Sequence, residues 1–145
     1  MESTASLSQK PLPEPDALSA AFWAGAAHHR LVTNYCEACA RHLHPGLPRC
    51  PSCDAPPTAT RELSGRGTVN SFTVVHDKST RGFEGLVPYV VGIIELVEEP
   101  GLLLVSNIVA CAPGAVAIAM PVQVSFEDVA EGVALPQFHP SEAAR

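Results

Sequence analysis

Cys36, Cys39, Cys50 and Cys53 carry the strongest chemical signal in the sequence. They form two C-x2-C pairs separated by ten residues. Two residues between cysteines let both sulfurs of a tight turn face one ion, and a second such turn completes a tetrahedral four-sulfur shell. A closed set of four leaves no open position for a substrate, so the expected role is structural. Zinc is the expected metal, with iron in a rubredoxin-like site as the alternative. Disulfides are disfavoured in an intracellular chain, and a redox pair would more naturally occur once, beside a strand-helix-strand unit. His42 and His44 lie between the pairs and are expected at the surface, since four cysteines already fill the shell. Cys111 sits in an apolar stretch and reads as an inert buried thiol.

Other chemistry is sparse. There is no G-x-G-x-x-G, G-x-x-x-x-G-K or G-x-S-x-G motif. His28, His29, His76 and His139 are scattered, and scattered histidines lack the partnered constellation that catalysis needs. His76-Asp77 is the one acid-base neighbour pair, but adjacent residues on a strand point to opposite faces. The formal net charge is -6, and thiolates around a divalent ion would make it more negative. Nine basic residues are enough for one phosphate-bearing ligand and too few for a nucleic-acid track.

These residues must be positioned by 145 residues, room for a minimal metal module joined to a small barrel. Residues 1–15 read as a flexible leader rich in Ser and Pro. They lack the basic start and long apolar run of a secretory signal, so a cytoplasmic location is expected. Residues 16–30 read as an amphipathic helix with Asp16 as N-cap and Leu18, Phe22 and Ala26 at helical spacing. Phe22 and Trp23 either pack on the chain or anchor a partner. Residues 31–60 form the cysteine module, whose prolines at 45, 48, 51, 56 and 57 argue against a regular sheet. Residues 61–130 are strand-like, with expected strands at 67–76, 88–97, 102–109 and 122–128. Both faces of 89–97 are apolar, which suits a closed barrel, and Gly92 is expected at a bend or bulge. Residues 101–126 carry no charge, yet Pro113, Gly114 and Pro121 break any membrane helix. The tail, 131–145, reads as loop or at most one short edge strand.

In this order, several features resemble the acyl-CoA-associated zinc-ribbon and OB-fold proteins, long catalogued as a domain of unknown function. They are Phe22-Trp23, the two knuckles, Pro48-Arg49 before Cys50, and Gly65-Arg66-Gly67. Ser71-Phe72-Thr73-Val74-Val75, Pro88-Tyr89-Val90-Val91, Met120-Pro121-Val122 and Leu135-Pro136-Gln137-Phe138 follow. Family members usually place Gly after the second cysteine of each knuckle and before the late Met, where this chain has Ala40, Asp54 and Ala119. Asp tolerates a left-handed turn better than Ala. The resemblance implies a mainly β chain: an N-terminal helix, a rubredoxin-like zinc ribbon and a five-stranded OB-fold barrel. It also implies an accessory subunit of thiolase-like enzymes, lipid-transfer-type aldolases or hot-dog hydratases, in pathways that include isoprenoid, polyketide and steroid chemistry.

The expected function is a non-catalytic subunit that binds such an enzyme and helps hold or channel its acyl-CoA. Phe22 and Trp23 are the expected partner contacts. In residues 77–87, Lys78 and Arg81 offer charge-assisted bonds to CoA phosphates and Phe83 an apolar contact. Arg66, flanked by glycines, is the next CoA candidate. The alternatives are a nucleic-acid-binding ribbon and barrel, for which charge and exposed aromatics are poor, and a free-standing acyl-CoA hydratase or hydrolase.

Overall fold

A computed structural model describes residues 10–142. Most of the expected leader, residues 1–9, and the last three positions lie outside the described residues. The chain is mainly β, with one helix, α1 (Ala20–Ala27), before all the strands. Asp16 does not cap it. Its Oδ1 accepts the backbone N–H groups of Leu18 and Ser19 at 3.0 and 2.9 Å, closing a turn that delivers the chain to a helix starting after Ser19. Phe22 and Ala26, one helical turn apart, are its buried residues.

The cysteine module does contain a sheet, contrary to the reading of its prolines. β1 (Leu31–Cys36) lies between β2 (Arg41–Leu43) and β3 (Ala59–Leu63), antiparallel to both. The five prolines all fall in the connections after β2, so none needs to donate to the ladder. β3 pairs with β1 from Tyr35↔Ala59 to Leu31↔Leu63, so this sheet runs past residue 60.

β4 (Arg66–Val75), β5 (Tyr89–Leu96), β6 (Leu103–Ile108), β7 (Pro121–Ala130) and β8 (Val133–Pro140) form a closed barrel in the order β4-β5-β6-β8-β7. Insertion of the last strand between β6 and β7 is the Greek-key arrangement of an OB-like barrel. The tail is therefore not loop-like: β8 pairs with β7 from Val122↔Pro140 to Ala130↔Val133, and Phe138 is fully buried. Its partner across the seam is β6, through Ile108↔Phe138. Pro136 lies beside that seam, where Ser106 Oγ donates to its carbonyl at 2.7 Å.

Residues 101–126 hold β6, a short 3-10 turn at Pro113–Ala115 and the start of β7. No helix of the described residues is long and apolar enough to cross a membrane. Gly92 does not mark a bulge. The register shift falls in β4 between Val69 and Ser71, whereas Gly92 admits the Ile108 side chain, whose Cδ1 would lie 2.6 Å from an added Cβ. Phe22 of the helix, Leu31 and Leu63 of the ribbon, and Val69, Ile94 and Phe138 of the barrel belong to one apolar core. The metal end of the ribbon has its own small cluster, Cys36, Leu43 and Cys50.

Candidate metal centre and ligand surfaces

The end of β1 supplies Cys36, the turn before β2 supplies Cys39, and the turn between β2 and β3 supplies Cys50 and Cys53. All four sulfurs lie within 4.8 Å of one another, and none is in a disulfide. Cys36 Sγ and Cys53 Sγ are 3.6 Å apart. A tetrahedral site with zinc-sulfur bonds of about 2.3 Å has edges of about 3.8 Å, so the donor set fits such an ion.

Each knuckle turns where the left-handed backbone is needed: Ala40 has φ 53° and Asp54 φ 63°. In the second knuckle Asp54 N–H donates to Cys50 O at 2.8 Å, and Ser52 N–H approaches Cys50 Sγ at 3.4 Å. The backbone N–H groups of Cys53 and Ser52 bring the Cys50 thiol down to about 7. Cys39 is pushed up to about 12 by hydrogen bonding with Cys53 and by burial. Four crowded sulfurs resist ionising together, and a divalent cation removes that conflict.

Glu99, in the hairpin between β5 and β6, ties the barrel to this ribbon. Its carboxylate accepts Arg41 Nε at 3.0 Å and His42 N–H at 2.7 Å, and His42 Nδ1 lies 3.1 Å away. Burial alone would raise this carboxyl, but the His42 N–H and the Arg41 guanidinium outweigh it and hold it below 4.5. No spacing in the sequence pointed to this contact across 57 and 58 positions.

The two expected partner contacts differ in burial. Phe22 is 8% exposed and part of the core, and reaches the cleft described next only at its floor. Trp23 is half-buried, edge-on to Phe22 with centroids 4.9 Å apart, and lines a cleft of about 410 Å³. Val105 and Pro136 line the same cleft, and Val105 is 65% exposed. Val105 was expected only as part of the strand at 102–109; its exposure follows from alternation along β6.

The four expected CoA contacts do not form one cluster. Arg66 opens β4 and residues 77–87 follow its end, about 30 Å of strand away. Lys78 and Arg81 are exposed. Phe83 packs against Tyr89 with ring centroids 4.9 Å apart. His76 and Asp77 are both exposed, and Asp77 instead accepts Ser79 N–H and Oγ–H at 3.0 and 2.6 Å. His29 bonds Asp128 at 2.8 Å and stacks on Phe126, and among the described residues neither this pair nor His42–Glu99 bonds a nucleophilic side chain.

Comparison with known proteins gives these features relatives. Residues 60–127 match the family model described as "ChsH2, C-terminal OB-fold domain". The chain is 40% identical over 122 residues to a "Probable enoyl-CoA hydratase alpha subunit" of Thermomonospora curvata, covering 83% of this chain but 37% of that protein's length. A solved structure described as "Ltp2-ChsH2(DUF35) aldolase" superposes with a TM-score of 0.78 and 37% identity, over 88% of this chain and 98% of the other. A "DUF35 domain-containing scaffold protein" of Methanocaldococcus jannaschii is 36% identical over 70% of each chain. Identity at that level through most of both chains exceeds what sharing a barrel alone would leave, and the chain accordingly belongs to the DUF35 family.

Proposed function

We propose that this chain is a cytoplasmic, non-catalytic accessory subunit that binds a thiolase-like enzyme, an aldolase of the lipid-transfer type or a hydratase, and helps hold its acyl-CoA substrate. The observation that carries the reading is the likeness to a chain of a structure described as an "Ltp2-ChsH2(DUF35) aldolase", over 88% of this chain and 98% of that one. The likeness to part of a hydratase alpha subunit supports the same role beside an acyl-CoA enzyme.

The site chemistry agrees with a supporting role. Four sulfurs would hold zinc in a closed shell, which rigidifies the ribbon and leaves no position for a reacting group. Trp23 and Val105 offer the enzyme an aromatic and an aliphatic contact beside the β6–β8 seam of the barrel, the kind of apolar centre that dominates binding energy. Lys78 and Arg81, exposed on one loop, supply the cations for CoA phosphates.

The test is to purify the chain alone and together with the thiolase-like, aldolase or hydratase proteins of its source. The expected result is no turnover of acyl-CoA esters by the chain alone and stable co-elution with one of those enzymes. Turnover by the isolated chain at ordinary enzymatic rates, or failure to bind any of them, overturns the reading.

A further inference from the structure

Beneath residues 77–87 the end of the barrel holds a cavity of about 360 Å³. Phe83 and Leu86 of the loop, Tyr89 of β5, Ile108 of β6, and Val109 and Cys111 beyond it form its apolar walls. That volume is in the range of small-molecule sites, which are mostly apolar with a few placed polar groups.

Charge decides what the cavity accepts. Lys10 and Glu127 both line it and neutralise each other, with Nζ 2.6 Å from Oε1. The same carboxylate oxygen accepts Gln137 Nε2 at 2.7 Å, and Lys10 Nζ stands 5.2 Å from the centre of the Phe83 ring. An anionic group entering here would have to break that ion pair or sit uncompensated beside the Glu127 carboxylate, which is costly. The cations of the loop lie elsewhere: Lys78 and Arg81 are exposed, and among the described residues neither side chain has an ion-pair partner. Polarity is thus graded along one loop, with cations in solvent and Phe83 and Leu86 at the cavity.

We infer that this cavity takes the uncharged apolar tail of an amphiphile whose anionic head rests on Lys78 and Arg81. The acyl chain of a thioester is the ligand of that class, and this identification rests on the function proposed above. The cavity would then sort acyl groups by size, while the loop cations would hold any CoA ester alike.

Cys111 provides the reporter, because it is the fifth cysteine and stands outside the cluster of four. Its alkylation by N-ethylmaleimide is followed by intact mass on the metal-loaded full chain, alone and with its partner enzyme. Decanoyl-CoA at ten times its dissociation constant is expected to slow the reaction about tenfold. Decanoate should protect in the same direction and CoA alone should not. Leu86→Asp, at a loop position 47% exposed, should keep the fold and abolish protection by decanoyl-CoA. Protection by CoA alone equal to that by decanoyl-CoA would put the nucleotide in the cavity and overturn the inference, as would absence of protection by either. A chain that binds its enzyme without this protection refutes the cavity assignment only. Protection in a chain that binds none of the candidate enzymes refutes the subunit reading only.

Discussion

Glu99 Oε2 accepts a hydrogen bond from Arg41 Nε at 3.0 Å, joining the hairpin after β5 to the first residue of β2. The other carboxylate oxygen holds the next residue of the ribbon by its backbone N–H, so one side chain fixes the ribbon against the barrel. Glu99→Gln is expected to cost about 1.5–3 kcal/mol, the range for bonds to a charged group. The carboxyl is held below 4.5 in the folded chain, so its contribution is present above that value and is lost as pH falls through the lower, folded value. The difference in melting temperature between wild type and Glu99→Gln should therefore be large at neutral pH and shrink in acid. An equal difference at both pH values would contradict the assignment.

The metal prediction is one ion per chain on Cys36, Cys39, Cys50 and Cys53. Elemental analysis should find it, and replacing Cys50 and Cys53 by Ser should remove it. A strong chelator should then loosen β1, β2 and β3, detected as faster amide exchange there than in β5 and β8. The ribbon end has only a small apolar cluster, so metal binding supplies its order. Unchanged exchange after metal removal would sink this account.

Ala40 and Ala119 both have left-handed backbone, φ 53° and 71°. A left-handed L residue costs roughly 1–2 kcal/mol, and part of that gain is returned because Gly makes the unfolded chain more flexible. Ala40→Gly and Ala119→Gly should each stabilise by on the order of 0.5–1 kcal/mol in denaturant melts. Gly132→Ala, at φ 72° with open space around an added Cβ, should move stability the other way.

Val105→Asp should weaken binding of the partner enzyme about tenfold or more, as the loss of an interface centre does, without lowering the melting temperature, because that side chain is 65% exposed. Trp23→Ala should weaken binding too, but with some loss of stability since Trp23 packs on the core. Calorimetry against the purified enzyme distinguishes the two. Wild-type affinity in both variants would remove the cleft from the interface.

Lys78→Ala with Arg81→Ala should reduce CoA-ester affinity of the assembled complex about tenfold or more, given roughly 1.5–3 kcal/mol for hydrogen bonds to charged groups. Arg66→Ala should leave it unchanged, since Arg66 opens β4 and the loop follows its other end. The reverse ranking in competitive binding would move the CoA phosphates to the ribbon-barrel junction.

The sequence alone determined which four sulfurs come together and the general course of β4 to β7, for a local reason. A C-x2-C turn aims its own sulfurs, and runs of Val, Ile and Phe between Gly and Pro favour strands whatever their neighbours. The family resemblance added the barrel topology. What only the tertiary structure decided depends on residues far apart in the chain. β8 was hidden because Pro136 and Pro140 look like breakers, yet β7 on one side and Phe138 packed in the core hold it as a full strand. The ribbon sheet was hidden because its prolines crowd the composition of the segment while all falling between strands. Phe22 and Trp23 are neighbours in sequence with different degrees of burial, since a helix sends consecutive side chains about 100° apart: Phe22 is buried in the core and Trp23 packs half-buried at its edge. Arg66 read as the next CoA candidate after Lys78 and Arg81, and only the length of β4 shows that it opens the strand whose other end leads to them. The Glu99 joint and the Lys10–Glu127 pair join charges 58 and 117 positions apart, contacts that exist only after the barrel has closed.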